Sequence, residues 1–176
     1  MPVTYALIVI NCIIYALNYY VSSPDGFLLI FGLNMMFFGG ALWQPLSTMF
    51  VHGSLAHLAM NMVVLFQFGT LIERGIGALR FSILYIVGGV ITSLLSLSYI
   101  FYDELVNMVG ASGAISVLLG FLAYYDRASG KGLLIALVLM SFAPLLMGVQ
   151  IAWYAHLFGF GVGFSLAFLR KRYGVF

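Results

Sequence analysis

Residues 81–100 read FSILYIVGGVITSLLSLSYI, twenty consecutive positions without a charged side chain. A helix rises about 1.5 Å per residue, so this segment is about 30 Å long and matches the hydrocarbon core of a bilayer. Arg80 precedes it, and Asp103 and Glu104 follow it closely. The segment therefore predicts a membrane-spanning helix that starts on a basic side and ends on an acidic one.

The whole chain has the same apolar character. Of its 176 residues, 64% are hydrophobic and 7% are charged, whereas soluble domains carry roughly 25% charged residues. This composition excludes an ordinary soluble domain and predicts an all-α, polytopic membrane protein. Six apolar segments predict six transmembrane helices in a single domain of residues 1–176, at 3–21, 56–72, 81–100, 110–125, 132–150 and 152–169. Residues 3–21 are too long for the apolar region of a cleavable signal peptide.

The basic residues indicate how the predicted spans are oriented. All seven fall in loops on one side or after the last span: Arg74, Arg80, Arg127, Lys131, Arg170, Lys171 and Arg172. The positive-inside rule then predicts a multi-pass protein with both termini in the cytoplasm. Glu73 and Arg74 lie near the cytoplasmic end of span two, where we expect them to anchor a turn. The net charge of +2, without a sizeable basic patch, predicts no nucleic-acid partner.

The segment from residue 22 to residue 55 is too apolar for a solvated loop. Its longest uninterrupted apolar run ends at Gly39 and Gly40 and is too short to cross a bilayer. We therefore expect a substructure that lies in the outer leaflet among membrane lipids, with Trp43 near the headgroups. A buried scaffold element is the simpler interpretation of the same residues.

Small residues on two spans are spaced for close helix packing. Ser112, Ser116 and Gly120 recur every fourth residue on span four and share one face. His156, Gly159 and Gly163 share one face of span six in the same way. Such stripes let membrane helices approach closely, so spans four and six are expected to be neighbours.

Polar side chains from three spans are predicted to lie at one depth below the external surface. Ser112 is in the first turn of span four, and His156 is about one turn into span six. His57 and Asn61 occupy the first turns of span two. Ionisable groups inside a membrane are functional hypotheses by default, although each residue alone could serve packing or interhelical hydrogen bonding.

This set of side chains is suited to acyl transfer. A serine hydroxyl becomes a good nucleophile when a neighbouring base takes its proton, and a neutral imidazole does this well. No acidic residue is expected at the depth of His156, so Ser112 and His156 would form a dyad. Backbone N–H groups at the start of span four, with His57 and Asn61, would stabilise the oxyanion.

Other classes of protein fit the sequence less well. Residues 57–61, HLAMN, lack the glutamate and second histidine of a zinc protease helix, and no metal or other cofactor is predicted. An aspartyl protease needs two mid-membrane aspartates, but Asp126 sits at a helix end beside Arg127. A transporter would need a charged residue in mid-span to relay ions or protons, and the predicted spans contain none. A non-catalytic protein that binds or escorts transmembrane segments is the remaining alternative.

These motifs resemble those of the rhomboid intramembrane serine proteases, of the bacterial, GlpG-like kind with a six-helix core. The matching elements are Gly110-Ala111-Ser112-Gly113, then His52-x4-His57-x3-Asn61, and Ala155-His156-x2-Gly159-x3-Gly163. Glu73-Arg74-x2-Gly77 and Trp43 are similar to further elements of the family. The resemblance covers essentially the whole chain.

The resemblance implies Ser112 as nucleophile and His156 as general base. It also implies an oxyanion hole formed by His57, Asn61 and the Ser112 amide, aided by the Ala111 amide, with His52 in a supporting role. The implied partners are transmembrane protein substrates, cleaved near their external end, and the implied location is the bacterial inner membrane. Substrates would enter by movement of span five and the loop before span six.

Two positions depart from the family's pattern. Ser116 stands where rhomboids commonly carry a tyrosine stacked on the catalytic histidine, so His156 needs another neighbour, for which Trp153, Tyr154 and the aromatics of span two are candidates. Gln44 stands where an arginine commonly follows the tryptophan of the first loop.

Overall fold

The structure, a computed structural model, describes residues 1–20, 23–103, 105–146 and 152–174. These residues are largely helical, and their strand-like pairing is limited to one isolated bridge between Leu33 and Met108. The α-helices are α1 (Pro2–Tyr20), α2 (Pro24–Phe31), α3 (Gln44–Ser47), α4 (Leu55–Val64), α5 (Thr70–Ile76), α6 (Ala78–Tyr102), α7 (Ser112–Tyr125), α8 (Arg127–Leu146) and α9 (Trp153–Tyr173).

Three helical stretches in the described residues are long and apolar enough to cross a membrane. They are Pro2–Tyr20, Leu55–Ile76 and Ala78–Tyr102, and they correspond to the first three predicted spans. The stretch Leu55–Ile76 joins α4 to α5 through one π-helical turn, Leu65–Gly69. The all-α membrane class is thus supported, while the total of six spans stays a prediction.

The last three predicted spans correspond to α7, α8 and α9. Span four was predicted to start at residue 110, but α7 begins at Ser112, because Gly110 has a φ of +118° that a right-handed helix excludes. The predicted junction between spans five and six, near Gly148 and Gln150, lies outside the described residues.

Helix α7 is the centre of the bundle. Every residue from Ala114 to Phe121 is buried, and α7 packs against α6, α8 and α9. A helix that is apolar on all sides is expected to be surrounded by other helices. The outer helices, in contrast, expose large apolar side chains such as Leu79 and Phe168, as expected of a surface that faces lipid.

Helices α7 and α9 approach each other closely through their small residues. A Cβ added to Gly159 would lie 2.9 Å from the Cβ of Ser116. A Cβ added to Gly163 would collide with the Val117 carbonyl oxygen, and one added to Gly120 would collide with that of Phe160. The predicted packing of the two small-residue stripes is confirmed.

Glu73 ties the end of α5 to the start of α1. Its buried carboxylate accepts hydrogen bonds from the backbone N–H groups of Val3 (3.1 Å) and Thr4 (2.9 Å), and from the Thr4 hydroxyl (2.7 Å). These N–H groups have no acceptor within their own helix. Glu73 therefore anchors a helix end, as the sequence suggested.

The segment between α1 and α4 folds onto the connection that leads into α7. Leu33 and Met108 each donate a backbone N–H to the other's carbonyl oxygen at 2.8 Å. The N–H of Gly110 donates to the Thr48 carbonyl oxygen at 2.9 Å. The first loop thus fixes the backbone immediately before Ser112.

Buried amide side chains fasten this loop from within. Gln44 accepts a hydrogen bond from the backbone N–H of Asn34 (3.3 Å), and Asn34 donates its side-chain amide to Asn107 (2.9 Å). The indole N–H of Trp43 donates to the Ile30 carbonyl oxygen at 3.0 Å. Gln44 is therefore an internal strut of the loop, while Trp43 keeps about half of its surface exposed.

Candidate active site

The turn before α7 holds Ser112 at the first position of the helix. Gly110 adopts a φ of +118°, which favours glycine. A Cβ at Gly110 would also lie 2.7 Å from the His57 imidazole. The first N–H groups of α7 have no carbonyl partner inside the helix, so they are available to an oxyanion beside Ser112.

His52 supports this turn through a hydrogen bond. Its Nε2 accepts a hydrogen bond from the backbone N–H of Ala111 at 3.4 Å. His52 lies in the connection before α4, where burial, and next the nearby His57 imidazole, lower the pKa of His52 to about 3. His52 is therefore neutral over the physiological pH range and can accept this hydrogen bond.

His57 and Asn61 lie on the face of α4 that is turned toward the site. The Ser54 hydroxyl caps α4 by accepting from the His57 backbone N–H at 3.2 Å. The imidazole of His57 lies edge-on to that of His52, with ring centres 5.1 Å apart. Asn61 is buried and donates one amide hydrogen to the His57 carbonyl oxygen at 2.9 Å, which leaves its second amide hydrogen for another acceptor.

Ser112 and His156 lie at the same level of the α7–α9 interface. Gly159 touches Ser116, and these residues are each about one turn further in than His156 and Ser112. Consistent with this register, a Cβ on Gly113 would lie 3.9 Å from the Cβ of Ala155, beside His156. Ser112 is half-buried, whereas His156 is 1% exposed.

The hydrogen bond made by His156 leads to a residue that the sequence analysis missed. Its Nδ1 lies 2.9 Å from the hydroxyl of Ser141 on α8. Its Nε2 is buried and has no hydrogen-bond partner in the described part of the chain. No hydrogen bond joins Ser112 to His156 among the described residues. The signal that would have found Ser141 is its position as the one hydroxyl in the apolar run 132–146.

The aromatic candidates for a neighbour of His156 pack elsewhere. Tyr154 stacks on Tyr99, with ring centres 4.1 Å apart. Trp153 contacts Tyr99 and the ring of Phe142. Neither ring stacks on His156 in the described ranges, so neither of these two candidates takes the place of the stacked tyrosine. The contact to the imidazole that the structure shows instead comes from the Ser141 hydroxyl.

Ala111 and Ser116 have structural contacts of their own. The Ala111 amide is engaged by His52, so the nearest unengaged backbone donor is that of Ser112 itself. The Ser116 hydroxyl donates to the Ser112 carbonyl oxygen at 2.8 Å, one turn back along α7. Both contacts hold the first turn of α7 in place.

Helix α7 begins at Ser112, two histidines contact the turn before it, and His156 lies on the facing helix α9. This arrangement in a helical membrane protein defines the class of the chain. The model of the rhomboid domain family matches residues 39–173. The chain belongs to the rhomboid family.

Related proteins come from plants and bacteria. RHOMBOID-like protein 4 of Arabidopsis thaliana is 35% identical over 143 residues, which cover 75% of this chain and 36% of that protein. Rhomboid protease GluP of Bacillus subtilis is 35% identical over 98 residues, which cover 56% of this chain and 18% of that protein. The Bacillus subtilis protein YdcA is 30% identical over 145 residues, covering 78% and 72%. The chain spans less than half the length of the plant relatives that it matches.

Proposed function

We propose that this protein is an intramembrane serine endopeptidase that cleaves transmembrane substrates near their external end. Ser112 is the nucleophile and His156 the general base. The observation that carries the proposal is the placement of Ser112 at the start of α7, at the level of a buried His156 whose Nε2 has no hydrogen-bond partner among the described residues. Family membership supports the same chemistry.

The reaction proceeds in two acyl-transfer steps. The Ser112 hydroxyl oxygen attacks the scissile carbonyl carbon while His156 Nε2 takes the hydroxyl proton. The C–N bond then breaks, the imidazolium gives that proton to the leaving amine, and an ester on Ser112 remains. Water, deprotonated by the same nitrogen, hydrolyses the ester and regenerates Ser112.

The oxyanion of each step is held by donors around the helix start. We assign this role to the Ser112 amide, the side chain of His57 and the second amide hydrogen of Asn61. The His57 ring lies against Gly110, two residues before the nucleophile. Removing one such donor in other enzymes costs about 10²–10³ in rate. His52 and Ala111 act by holding the turn.

The proposed topology has six spans and cytoplasmic termini. The His57 ring lies against Gly110 in the turn before α7, so α4 and α7 start at the same end of the bundle and run toward the opposite end. The side chain of Lys171 lies 5.8 Å from the ring centre of Tyr124 there, which places the basic end of α9 at the same end. The positive-inside rule assigns that end to the cytoplasm and the active site to the external side.

The test of the proposed activity is a cleavage assay with matched serine variants. Wild type, Ser112→Ala and Ser98→Ala are purified in detergent and incubated with a single-span substrate. Ser98 is an exposed serine of α6 whose hydroxyl bonds its own helix. We expect loss of cleavage with Ser112→Ala alone. Equal cleavage by all three proteins contradicts the proposal.

The competing function, binding or escort of transmembrane segments without cleavage, makes a different prediction. A non-catalytic protein would leave the substrate intact in all three samples and would bind it equally well with or without the Ser112 hydroxyl. Intact substrate that co-purifies with both wild type and Ser112→Ala indicates a non-catalytic binding protein. Cleaved substrate in both samples indicates a peptidase whose nucleophile is a residue other than Ser112.

A further inference from the structure

Ser141 is a buried hydroxyl on α8 that the proposed mechanism does not yet use. It is 0% exposed, and its oxygen makes two hydrogen bonds. One joins it to the carbonyl oxygen of Leu137 at 2.7 Å. The other joins it to Nδ1 of His156 at 2.9 Å and links α8 to α9.

The hydrogen count of this pair determines the tautomer of the imidazole. A serine hydroxyl has one hydrogen to donate. The Leu137 carbonyl can only accept, so it takes the Ser141 hydrogen, and the Ser141 oxygen must accept from His156. Nδ1 of His156 therefore carries the proton. In a neutral imidazole this leaves the lone pair on Nε2, the atom for which the described residues offer no hydrogen-bond partner.

We propose that Ser141 is a positioning residue that holds His156 in the tautomer and orientation required of the general base. The inference rests on the proposed function for its catalytic meaning. Ser141 acts through the imidazole rather than on the substrate, in the way that a carboxylate partner orients a catalytic histidine in other proteins. A hydroxyl from one helix thus fills the place of a third member beside Ser112 and His156.

Serine hydroxyls in helices commonly donate a hydrogen bond to a carbonyl oxygen of the same helix. The control must therefore be a serine that makes this intrahelical hydrogen bond and no hydrogen bond to a histidine. Ser96 on α6 provides it. Ser96 is also 0% exposed, and its hydroxyl donates to the Thr92 carbonyl oxygen at 2.8 Å, four residues back. Ser96→Ala therefore removes the same kind of intrahelical bond and the same buried volume as Ser141→Ala, without touching a histidine.

The kinetic test compares Ser141→Ala, Ser141→Thr and Ser96→Ala in the cleavage assay. Without its acceptor, Nδ1–H is buried unpaired and the tautomer with a proton on Nε2 gains population, so kcat falls. We expect about a tenfold loss of kcat, the size of one hydrogen bond of about 1.4 kcal/mol. KM stays within twofold, because substrate binding is unaffected. Threonine keeps a hydroxyl and restores most of kcat, and Ser96→Ala behaves as wild type.

An independent test observes the tautomer itself. The chain has three histidines, so ¹⁵N-histidine NMR of the protein in detergent gives few signals, and His156→Gln assigns those of His156. We expect an Nδ1-protonated ring in wild type and in Ser141→Thr, and a shift toward the Nε2-protonated ring in Ser141→Ala. This result does not depend on activity, so it also covers a variant that is too unstable for kinetics.

The outcomes separate the two proposals. If Ser112→Ala abolishes cleavage but Ser141→Ala matches Ser96→Ala in kcat and leaves the His156 tautomer unchanged, the role of Ser141 is overturned while the peptidase stands. If Ser141→Ala raises KM alone, Ser141 acts on substrate entry and the positioning role is wrong. If Ser112→Ala still cleaves the substrate, the proposed function is wrong, and the catalytic role of Ser141 is overturned with it.

Discussion

The close contact between α7 and α9 is tested by two alanine substitutions two residues apart on α9. Gly163 faces α7, and an added Cβ would lie 2.7 Å from the carbonyl carbon of Val117 and 2.8 Å from the backbone nitrogen of Phe121. No atom of the described residues lies within 4 Å of a Cβ added to Gly161. Both substitutions remove a helical glycine, so the difference between them isolates the interface.

The size of the effect follows from the distances. Carbon atoms pack best at about 3.5–4.0 Å, so a Cβ on Gly163 must push the helices about 1 Å apart. Overpacking of this kind costs about 1–3 kcal/mol. Replacing a helical glycine by alanine gains at most about 1 kcal/mol, and Gly161→Ala receives that gain without the cost. We expect Gly163→Ala to be less stable than Gly161→Ala by about 1–3 kcal/mol.

The assay is reversible unfolding of each variant by titration of SDS into mild detergent micelles, followed by circular dichroism. The free energy of unfolding should decrease for Gly163→Ala and stay constant or rise for Gly161→Ala. Equal stability of the two variants would refute the close packing of α7 on α9. It would also refute the helix register that places Ser112 and His156 at the same level.

Three further predictions concern residues around the site and at the far end. Glu73→Gln removes the negative charge that accepts hydrogen bonds from the first N–H groups of α1. We therefore expect the free energy of unfolding to fall by about 1–3 kcal/mol in the same assay; stability equal to wild type would contradict the anchoring role. Because the pKa of His52 is lowered to about 3 by burial, the unfolded chain binds a proton below pH 6.5 that the folded chain does not, and stability falls as pH decreases from 6.5 toward 3. His52→Gln should reduce that slope by up to about 1.4 kcal/mol per pH unit, and an unchanged slope would argue against it. Gly110→Ala should abolish cleavage, since the added Cβ meets the His57 ring and the φ is left-handed. Gly75→Ala, where no described atom lies within 4 Å of the added Cβ, should cleave as wild type; equal activity of the two variants would refute the requirement for glycine in the turn before α7.

The membrane class and the small-residue contact followed from the sequence because both depend on composition and local spacing. Helical periodicity places Gly159 and Gly163 on one face of α9, and a face of small residues has few uses other than close approach. Glu73 was expected to anchor a turn, because it lies with Arg74 near the cytoplasmic end of span two. Such features need no knowledge of which helices are neighbours.

The features that the sequence analysis missed depend on contacts between distant residues. Ser141 bonds a histidine fifteen positions later across a helix pair, and a lone hydroxyl in an apolar segment gives no hint of its partner. The strut formed by Asn34 and Gln44 likewise appears only when the first loop closes on itself. The start of α7 was predicted two residues early, since apolar character does not report the φ of Gly110.

The central claim, that the Ser112 hydroxyl is a nucleophile activated by His156, is tested most directly by a fluorophosphonate probe and peptide mapping. We predict that the probe forms a covalent adduct on Ser112 in the wild-type protein in detergent, and that His156→Ala suppresses the adduct while the fold is retained by circular dichroism. An adduct on Ser112 that forms equally fast without His156, or a wild-type protein that is never labelled at Ser112, would contradict the account.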